Sequence, residues 1–295
     1  MSQQPEFATL APEALAPARL LRDLGLEPKK HLGQSFLASS SAVRQILLAL
    51  ELGEDQVVEI GPGLGTLTGY LAQRASTVVA VELDEELSNY LSHRFSGLPH
   101  VMIVQADVLD VSPADLPLDH NRPYKLVGNL PYYITSPILR WVLSWEPGPQ
   151  LVVIMVQEEV ARRMVAEPGQ ISLLSLMVQL RGKPEVTHRI PAGSFVPRPR
   201  VNSAIVRVIP HAQPAVDAEE EARLFRLARA AFQQRRKMLQ NSLQSVLSCP
   251  KECIVQLLDG VGIPHAARPQ DLSVQQWIGL ARAAPPFLSP GDRDA

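Results

Sequence analysis

The stretch VVEIGPGLGTLT, residues 57–68, joins a run of apolar residues to a segment of helical spacing through a glycine-rich turn. Gly61, Gly63 and Gly65 lie in that turn, where the absence of side chains lets the backbone turn tightly and approach a ligand closely. A dinucleotide-binding fingerprint and a plain tight connection are both open at this point. In either case the stretch predicts a strand, a turn and a helix, which begin a βαβ unit.

The same alternation continues along the chain. Further β-rich runs, separated by segments of helical spacing, are TVVAVELD (77–84), VMIVQAD (101–107), YKLVGN (124–129) and LVVIMVQ (151–157). This rhythm predicts an α/β fold with a mostly parallel, Rossmann-like sheet. Ligands of such sheets bind at the carboxyl ends of the strands. Gly61, Glu82, Asp107 and Asn129 stand at the ends of successive runs, so we expect them to converge on one site.

Composition excludes several classes of protein. With 295 residues, 46% of them hydrophobic, the chain can bury a sizeable core, and its formal charge of -2 indicates neither a basic nucleic-acid binder nor an acidic tail. Any basic surface must therefore be local. Cys249 and Cys253 cannot complete a four-ligand zinc site, so we expect reduced thiols and no metal. No apolar run approaches the ~20 residues that cross a bilayer, and the N-terminus lacks a targeting pattern, which favours a cytoplasmic protein.

A composition shift at PHAQPAVDAEEE, residues 210–221, marks the predicted domain boundary. We expect an N-terminal extension over 1–28, a catalytic domain over 29–212 and a small all-helical domain over 213–295. The last of these is predicted from the helical periodicity of LFRLARAAFQQRRKMLQNSL and from the short helical patterns that follow it.

Individual residues narrow the chemistry. Glu82 lies about 20 residues beyond the glycines, where a carboxylate can accept hydrogen bonds from two ribose hydroxyls. Asp107 is placed for the amino group of an adenine-containing cofactor, although capping of the next turn is an alternative. The G-x-G-x-G spacing departs from the G-x-G-x-x-G fingerprint. A nicotinamide enzyme also has no evident use for Asn129, so these features disfavour a dehydrogenase.

The segment NLPY, residues 129–132, predicts methyl transfer to an exocyclic amino group. The Asn129 side-chain oxygen and the Leu130 carbonyl can both accept hydrogen bonds from that group, and Pro131 fixes the local backbone. Tyr132 offers a ring on which a flipped base can stack. Extruding a base costs a few kcal/mol, whereas stacking returns about 1–3 kcal/mol, so the ring roughly offsets the extrusion.

Seven motifs in order resemble the KsgA family of ribosomal small-subunit RNA adenine N6-dimethyltransferases. They are KKHLGQSFL, VVEIGPGLGTLT, VELD, QAD, GNLPYYI, FVPRPRVNSAIVR and AFQQRRKMLQNSL. The resemblance implies S-adenosylmethionine as the methyl donor. It also implies dimethylation of two adjacent adenines in a hairpin near the 3′ end of small-subunit (16S-type) ribosomal RNA, coupled to small-subunit biogenesis.

The resemblance also implies roles for individual residues. The expected catalytic residues are Asn129, Leu130, Pro131, Tyr132 and Phe195, the last as a second aromatic beside the flipped base. The expected cofactor-binding residues are Ser35, Leu37, Gly61, Gly63, Glu82, Asp107 and Asn129. The expected RNA-binding residues are Lys29, Lys30, Arg198, Arg200, Arg235, Arg236 and Lys237. For the basic helix around residues 223–237 a solvated face is the alternative.

One position departs from the family pattern, because Ser35 stands where GQNFL usually has Asn. A hydroxyl cannot reproduce the reach of an amide, so we expect modestly weaker cofactor binding, offset by Gln34 or His31.

Two other functions stay open at this point. One is a resistance methyltransferase that acts on large-subunit RNA, and the other is a ribosome-assembly or transcription factor without catalysis. The substrate is expected to be small-subunit RNA or its precursor particle, and a monomer is expected.

Overall fold

A seven-stranded sheet forms the core of the first part of the chain. The computed structural model describes residues 16–287. In that range the strands are β1 Phe36–Leu37, β2 Gln56–Ile60, β3 Thr77–Glu82, β4 Val101–Gln105, β5 Tyr124–Asn129, β6 Leu151–Gln157, β7 Gly182–Ile190, β8 Phe195–Val196 and β9 Ser203–Pro210. The helices are α1 Pro17–Leu24, α2 Ser40–Leu50, α3 Thr66–Leu71, α4 Glu85–Arg94, α5 Thr135–Val142, α6 Glu158–Met164, α7 Leu173–Arg181, α8 Ala218–Gln233, α9 Leu239–Gln244, α10 Lys251–Gly260 and α11 Val274–Ala283.

The strand order is β4-β3-β2-β5-β6-β9-β7, and β1 and β8 form a separate antiparallel pair. Strands β2 to β6 run parallel, and β9 pairs with β6 in the antiparallel direction. After β2 the chain builds outward through β3 and β4, then returns to add β5 on the other side of β2. The carboxyl ends of β2 and β5 therefore flank the point at which strand order reverses, where sheets of this kind bind ligands.

Apolar residues on both faces explain why β2 and β5 are central strands. Val57 and Val58 in β2 have no exposed surface, and Val127 in β5 is equally buried. Near-continuous apolar runs of this kind are typical of parallel strands covered by helices on both sides. The predicted α/β fold, with a parallel-rich sheet and helices at the C-terminus, is confirmed.

The chain divides into two units by its contacts. The first contains the described residues up to Ala161 together with Lys183–Pro210, and the second contains Arg162–Gly182 together with the described residues from His211 onwards. The division at Pro210 lies two residues before the predicted boundary at 212. Residues 162–182 differ from the prediction, which put them in the catalytic domain. Residues 1–15 of the predicted extension and 288–295 of the predicted helical domain lie outside the described residues.

The second unit packs its helices around an apolar core. Trp277 is fully buried in that core, and Leu224 and Leu227 of α8 pack with it. Leu176 and Leu180 of α7 belong to the same core, which explains why this segment groups with the second unit. The apolar pattern of α7 indicates a buried helix but carries no information about which core it joins.

The two cysteines are free thiols. Burial and a hydrogen bond with Cys253 raise the pKa of Cys249 to about 11, which keeps that thiol protonated and unreactive at neutral pH. Within residues 16–287 no group of three or more His, Cys, Asp or Glu side chains could hold a metal ion. Across the same residues, no helix combines the length and apolarity needed to cross a membrane.

Candidate active site

A cleft that is open to solvent lies at the carboxyl edge of the sheet. The cleft brings together all seven predicted cofactor-binding residues and four of the five predicted catalytic residues. These are Ser35, Leu37, Gly61, Gly63, Glu82, Asp107, Asn129, Leu130, Pro131 and Tyr132.

The glycine turn holds a conformation that side chains oppose. Gly61 and Gly63 have φ values of +66° and +59°. A Cβ atom added to Gly63 would lie 3.0 Å from the ring of Phe36. The backbone N–H of Gly63 donates to Oε2 of Glu82 over 3.0 Å. The turn after β2 is thereby tied directly to the end of β3.

Glu82 lies at the end of β3 with only 7% of its surface exposed. Its second oxygen, Oε1, accepts a hydrogen bond from the backbone N–H of Asp84 over 3.0 Å. Burial raises the pKa of Glu82, while the backbone hydrogen bonds from Asp84 and Gly63 oppose that change. Each carboxylate oxygen has a further lone pair, so Glu82 can still accept hydrogen bonds from ligand hydroxyls.

Asp107 combines both roles that the sequence left open. Its Oδ1 atom accepts a hydrogen bond from the backbone N–H of Leu109 over 2.9 Å and caps the short turn Val108–Asp110. The residue also lines the cleft. The capping bond fixes the carboxylate, and its other oxygen is not used by that bond.

The side chain of Asn129 is oriented by one hydrogen bond. Its Nδ2 atom donates to the backbone oxygen of Ser35 over 2.9 Å. Since only the nitrogen of an amide can donate, this contact makes the Oδ1 atom point away from the Ser35 carbonyl. The backbone N–H of Leu130 donates to Met155 O over 3.2 Å. Within residues 16–287 no donor is bonded to Asn129 Oδ1 or to the Leu130 carbonyl, so both acceptors are available to a ligand.

Tyr132 is half-buried and held at its hydroxyl, which shares a hydrogen bond of 2.7 Å with Ser203 Oγ. Burial raises the pKa of the phenol, so it stays neutral at physiological pH. The Pro131 carbonyl accepts from Thr135 Oγ1 over 3.0 Å, which fixes the loop before α5. Tyr133, which the sequence analysis did not single out, also lines the cleft and is 57% exposed.

Phe195, the predicted second aromatic, is a buried residue in this structure. It is 2% exposed, pairs with Leu37 across β1 and β8, and belongs to the core of the first unit. The ring is absent from the cleft lining that the described residues form, and a base cannot stack on a ring that is already covered. The role of Phe195 as a second aromatic beside the flipped base stays a prediction.

Glu59 is a cleft residue that the sequence analysis missed. It lies within β2, is 2% exposed, and accepts a hydrogen bond from Thr68 Oγ1 over 2.7 Å. Burial raises its pKa to about 8, with the Thr68 bond opposing and the nearby Glu82 charge adding to the rise. The available signal was an acid inside an apolar strand, since a central parallel strand has no solvent-facing side.

Ser35 contacts the chain in two directions. Its hydroxyl donates to the backbone oxygen of Pro197 over 2.8 Å, and its own carbonyl accepts from Asn129. The expected weakening of cofactor binding stays a prediction. The amide of Gln34 is occupied by Asp84 and by the Lys29 backbone, and His31 is absent from the described cleft lining. The structure therefore gives no support to compensation by either residue.

Six of the seven predicted RNA-binding residues are exposed and form no ion pair within the described part of the chain. In the first unit these are Lys30, Arg198 and Arg200, and in the second unit Arg235, Arg236 and Lys237. Lys29 is different, because its Nζ atom contacts Asp84 and Glu86 at 2.9 and 2.7 Å. Hydrogen bonds to Glu86 and Asp84 raise the pKa of Lys29. Its charge is already compensated within the chain, and the RNA-binding role of Lys29 stays a prediction.

Comparison with protein families and named proteins gives a consistent result. The family model described as ribosomal RNA adenine dimethylase matches residues 25–283. A Dehalococcoides mccartyi protein named Ribosomal RNA small subunit methyltransferase A is 44% identical over 275 residues, which are 92% of this chain and 94% of that protein. A protein of the same name from Moorella thermoacetica is 41% identical and covers 89% of this chain and 94% of its own length.

Solved structures agree with this fold. The 23S rRNA methyltransferase ErmE has a TM-score of 0.67 and 30% identity, and the match covers 84% of this chain and 98% of that chain. A dimethyladenosine transferase from Plasmodium falciparum has a TM-score of 0.69 and 23% identity, with 83% of this chain and 95% of that chain covered. At that identity the second match shows the fold alone.

Proposed function

The chain belongs to the ribosomal RNA adenine dimethylase family, and from this premise we propose that it dimethylates N6 of two adjacent adenines in a hairpin near the 3′ end of small-subunit ribosomal RNA. The predicted enzyme class, a ribosomal RNA adenine dimethyltransferase, is confirmed by the family. The small-subunit substrate is supported by the names of the relatives at 44% and 41% identity. The proposal includes a cytoplasmic, monomeric enzyme that acts during small-subunit biogenesis.

The proposed methyl donor is S-adenosylmethionine, and the donor set in the cleft fits it. Glu82 would accept hydrogen bonds from the ribose hydroxyls, and Asp107 would hold the adenine amino group. The glycine turn would let the ligand approach the backbone closely. When bound, this cofactor supplies an electrophilic methyl group on a sulfonium. The chain orients the acceptor nitrogen towards that methyl group.

The observation that carries the proposal is the pair of free acceptors at the end of β5. Asn129 Oδ1 and the Leu130 carbonyl would each accept one N–H of the target amino group. Two such bonds hold the nitrogen in one orientation and draw its lone pair away from the ring, which makes it a better nucleophile. Tyr132, held by Ser203, would provide the stacking face for the flipped base.

A strong general base is not required by this arrangement. The nitrogen becomes acidic once it carries a methyl group, so its proton can pass to solvent at the open mouth of the cleft. Positioning of the amino group therefore supplies most of the rate enhancement. The hydrogen bonds from Asn129 Nδ2 to Ser35 and from Leu130 N to Met155 agree with this, because they hold the two acceptors in place.

A second candidate is methylation of large-subunit RNA, which the 30% identity to ErmE brings into consideration. The two functions share their chemistry and differ in the RNA. A non-catalytic assembly role is disfavoured because the cleft keeps both acceptors and the tyrosine in place. Binding to a precursor particle can still serve assembly alongside catalysis.

The test is nucleoside mass spectrometry after incubation with S-adenosylmethionine and, separately, small-subunit RNA, a precursor small-subunit particle and large-subunit RNA. We expect dimethyladenosine in the small-subunit RNA, at two adjacent positions. Dimethyladenosine confined to large-subunit RNA would support the second candidate. Absence of the product from all three substrates would contradict the proposed reaction.

A further inference from the structure

We propose that Lys29, Gln34 and Asp84 are positioning residues that latch the arm, residues 29–37, and that the latched arm orients the Asn129 amide through the Ser35 carbonyl. The inference rests on the proposed function for its catalytic consequence. The latch itself is a property of the chain alone and can be measured without substrate or cofactor.

The latch is a closed set of hydrogen bonds between the arm and the start of α4. Lys29 Nζ donates to Asp84 Oδ1 over 2.9 Å, and Gln34 Nε2 donates to Asp84 Oδ2 over 2.7 Å. The Gln34 side-chain oxygen accepts from the backbone N–H of Lys29 over 2.8 Å. Lys29 also contacts Glu86 at 2.7 Å. Both ends of the turn 29–34 are thereby fixed to one carboxylate.

Asp84 is well suited to be the anchor of this set. Its side chain is only 2% exposed, and its Oδ1 atom caps α4 by accepting from Glu86 N over 3.1 Å. A buried carboxylate is stabilised by opposite charge and by donors, and Lys29 and Gln34 supply both. Lys29 and Gln34 lie 55 and 50 positions before Asp84 in the sequence. Their contacts with Asp84 therefore hold the arm against the rim of the cleft.

The arm reaches the catalytic loop directly beyond the latch. Gln34 is followed by Ser35, whose carbonyl accepts the 2.9 Å hydrogen bond from Asn129 Nδ2. Gly33 lies against the same loop, because a Cβ atom there would be 3.3 Å from the Tyr133 ring and 3.5 Å from Pro131. The arm therefore packs on the segment that carries the two acceptors.

The Ser35 contact decides which end of the Asn129 amide faces the substrate. Rotation of the amide by 180° exchanges its oxygen and nitrogen, and the exchanged form would present N–H groups to the amino group that it must hold. Each amide orientation has nearly the same shape, so the hydrogen bond to Ser35 is what distinguishes them. When the arm is released, the productive orientation loses that preference.

The test compares Lys29→Met and Asp84→Asn, singly and together, with the wild-type chain. Asp84→Asn keeps an oxygen that can cap α4 while removing the charge. Arg19→Met is the matched control, since Arg19 forms an exposed ion pair with Asp23 within α1. Lys29→Arg is the conservative variant, because it keeps the positive charge. Two readouts are used: hydrogen exchange of the peptide covering residues 29–37 in the free protein, and kcat and KM for methyl transfer to RNA.

We expect faster exchange in residues 29–37 for Lys29→Met and for Asp84→Asn. A fall in kcat of about 10-fold should accompany it, with KM for RNA changed less than about 3-fold, because one orienting hydrogen bond is lost. The double variant should add little to either single change, since both break one network. Lys29→Arg should recover most of the activity, and Arg19→Met should match wild type.

Unchanged exchange in the arm would overturn the latch. Faster exchange with unchanged kcat would overturn its positioning role, as would a pure rise in KM. A wild-type chain that makes no dimethyladenosine while the exchange result holds would refute the proposed function and leave the latch standing. The two failures are therefore distinguishable.

Discussion

The cleft of the first unit and the core of the second unit handle polar groups in opposite ways. Three acids of the cleft region, Glu59, Glu82 and Asp84, are less than 10% exposed, and each is bound by specific donors. The second unit buries apolar side chains around Trp277 and leaves its arginine-rich turn, residues 235–237, exposed. Under the proposed function, the first region would act through fixed geometry and the second through charge.

Asn129→Ala should have the largest effect, because it removes one of the two acceptors. We expect dimethyladenosine formation to fall by about 100-fold or more, as for removal of a group that orients charge in a transition state. RNA affinity should stay within about 3-fold, since RNA binding depends on other contacts. The measurements are single-turnover methylation and equilibrium binding, with the exposed Asn121→Ala as control. Loss of binding together with methylation would mean that Asn129 is not the catalytic acceptor.

Gly63→Ala should have the next largest effect. A φ of +59° and a ring 3.0 Å from the added Cβ make the substitution strained, at a cost of about 1–3 kcal/mol. The glycine turn should shift, and cofactor affinity measured by calorimetry should fall by about 10-fold. Gly97→Ala is the matched control, because nothing lies within 4 Å of its added Cβ. Equal affinities for the two variants would show that the turn does not contact the cofactor.

Glu59→Gln tests the buried acid by its pH dependence. Burial raises the pKa of Glu59 from 4.5 to about 8. Between these two pH values, Glu59 is protonated in the folded chain and ionised in the unfolded chain. Stability of the wild type therefore falls as pH rises through this window, and the free energy changes by at most about 1.4 kcal/mol per pH unit. Glu59→Gln has no titrating group at this position and lacks this pH dependence of stability.

We expect the stability of Glu59→Gln relative to wild type to increase from pH 5 to pH 8 and then to level off. Denaturant unfolding at a series of pH values measures this, with the exposed Glu54→Gln as control. Parallel curves for wild type and Glu59→Gln would show that this carboxyl is ionised at neutral pH.

Arg235→Ala combined with Arg236→Ala should have the smallest effect and a graded one. Two lost phosphate contacts should weaken RNA binding by about 5-fold and reduce the slope of log affinity against log salt by about 1.5. Cofactor affinity should not change. Lys251→Ala, at an exposed position of the same unit, is the control. An unchanged salt slope would argue that the arginine-rich turn is a solvated surface.

The sequence alone predicted the parts of the fold and site that repeat locally. The alternation of β-rich and helical segments predicted the parallel sheet, and the carboxyl ends of four runs predicted Gly61, Glu82, Asp107 and Asn129 at one cleft. The contacts between distant segments could not be predicted in this way. Lys29 meets Asp84 across 55 positions, and Phe195 turns towards the core because of its pairing with Leu37. Local sequence patterns do not reveal which distant residues will be in contact.

The most direct test of the account is a crystal structure of the chain with a non-reactive S-adenosylmethionine analogue and an RNA hairpin that carries the adjacent adenines. We predict the N6 atom of one flipped adenine at about 3 Å from both Asn129 Oδ1 and the Leu130 carbonyl oxygen, within the usual hydrogen-bond range. The base should lie on the Tyr132 ring. An adenine bound elsewhere, or an Asn129 amide that presents its nitrogen to N6, would contradict the account.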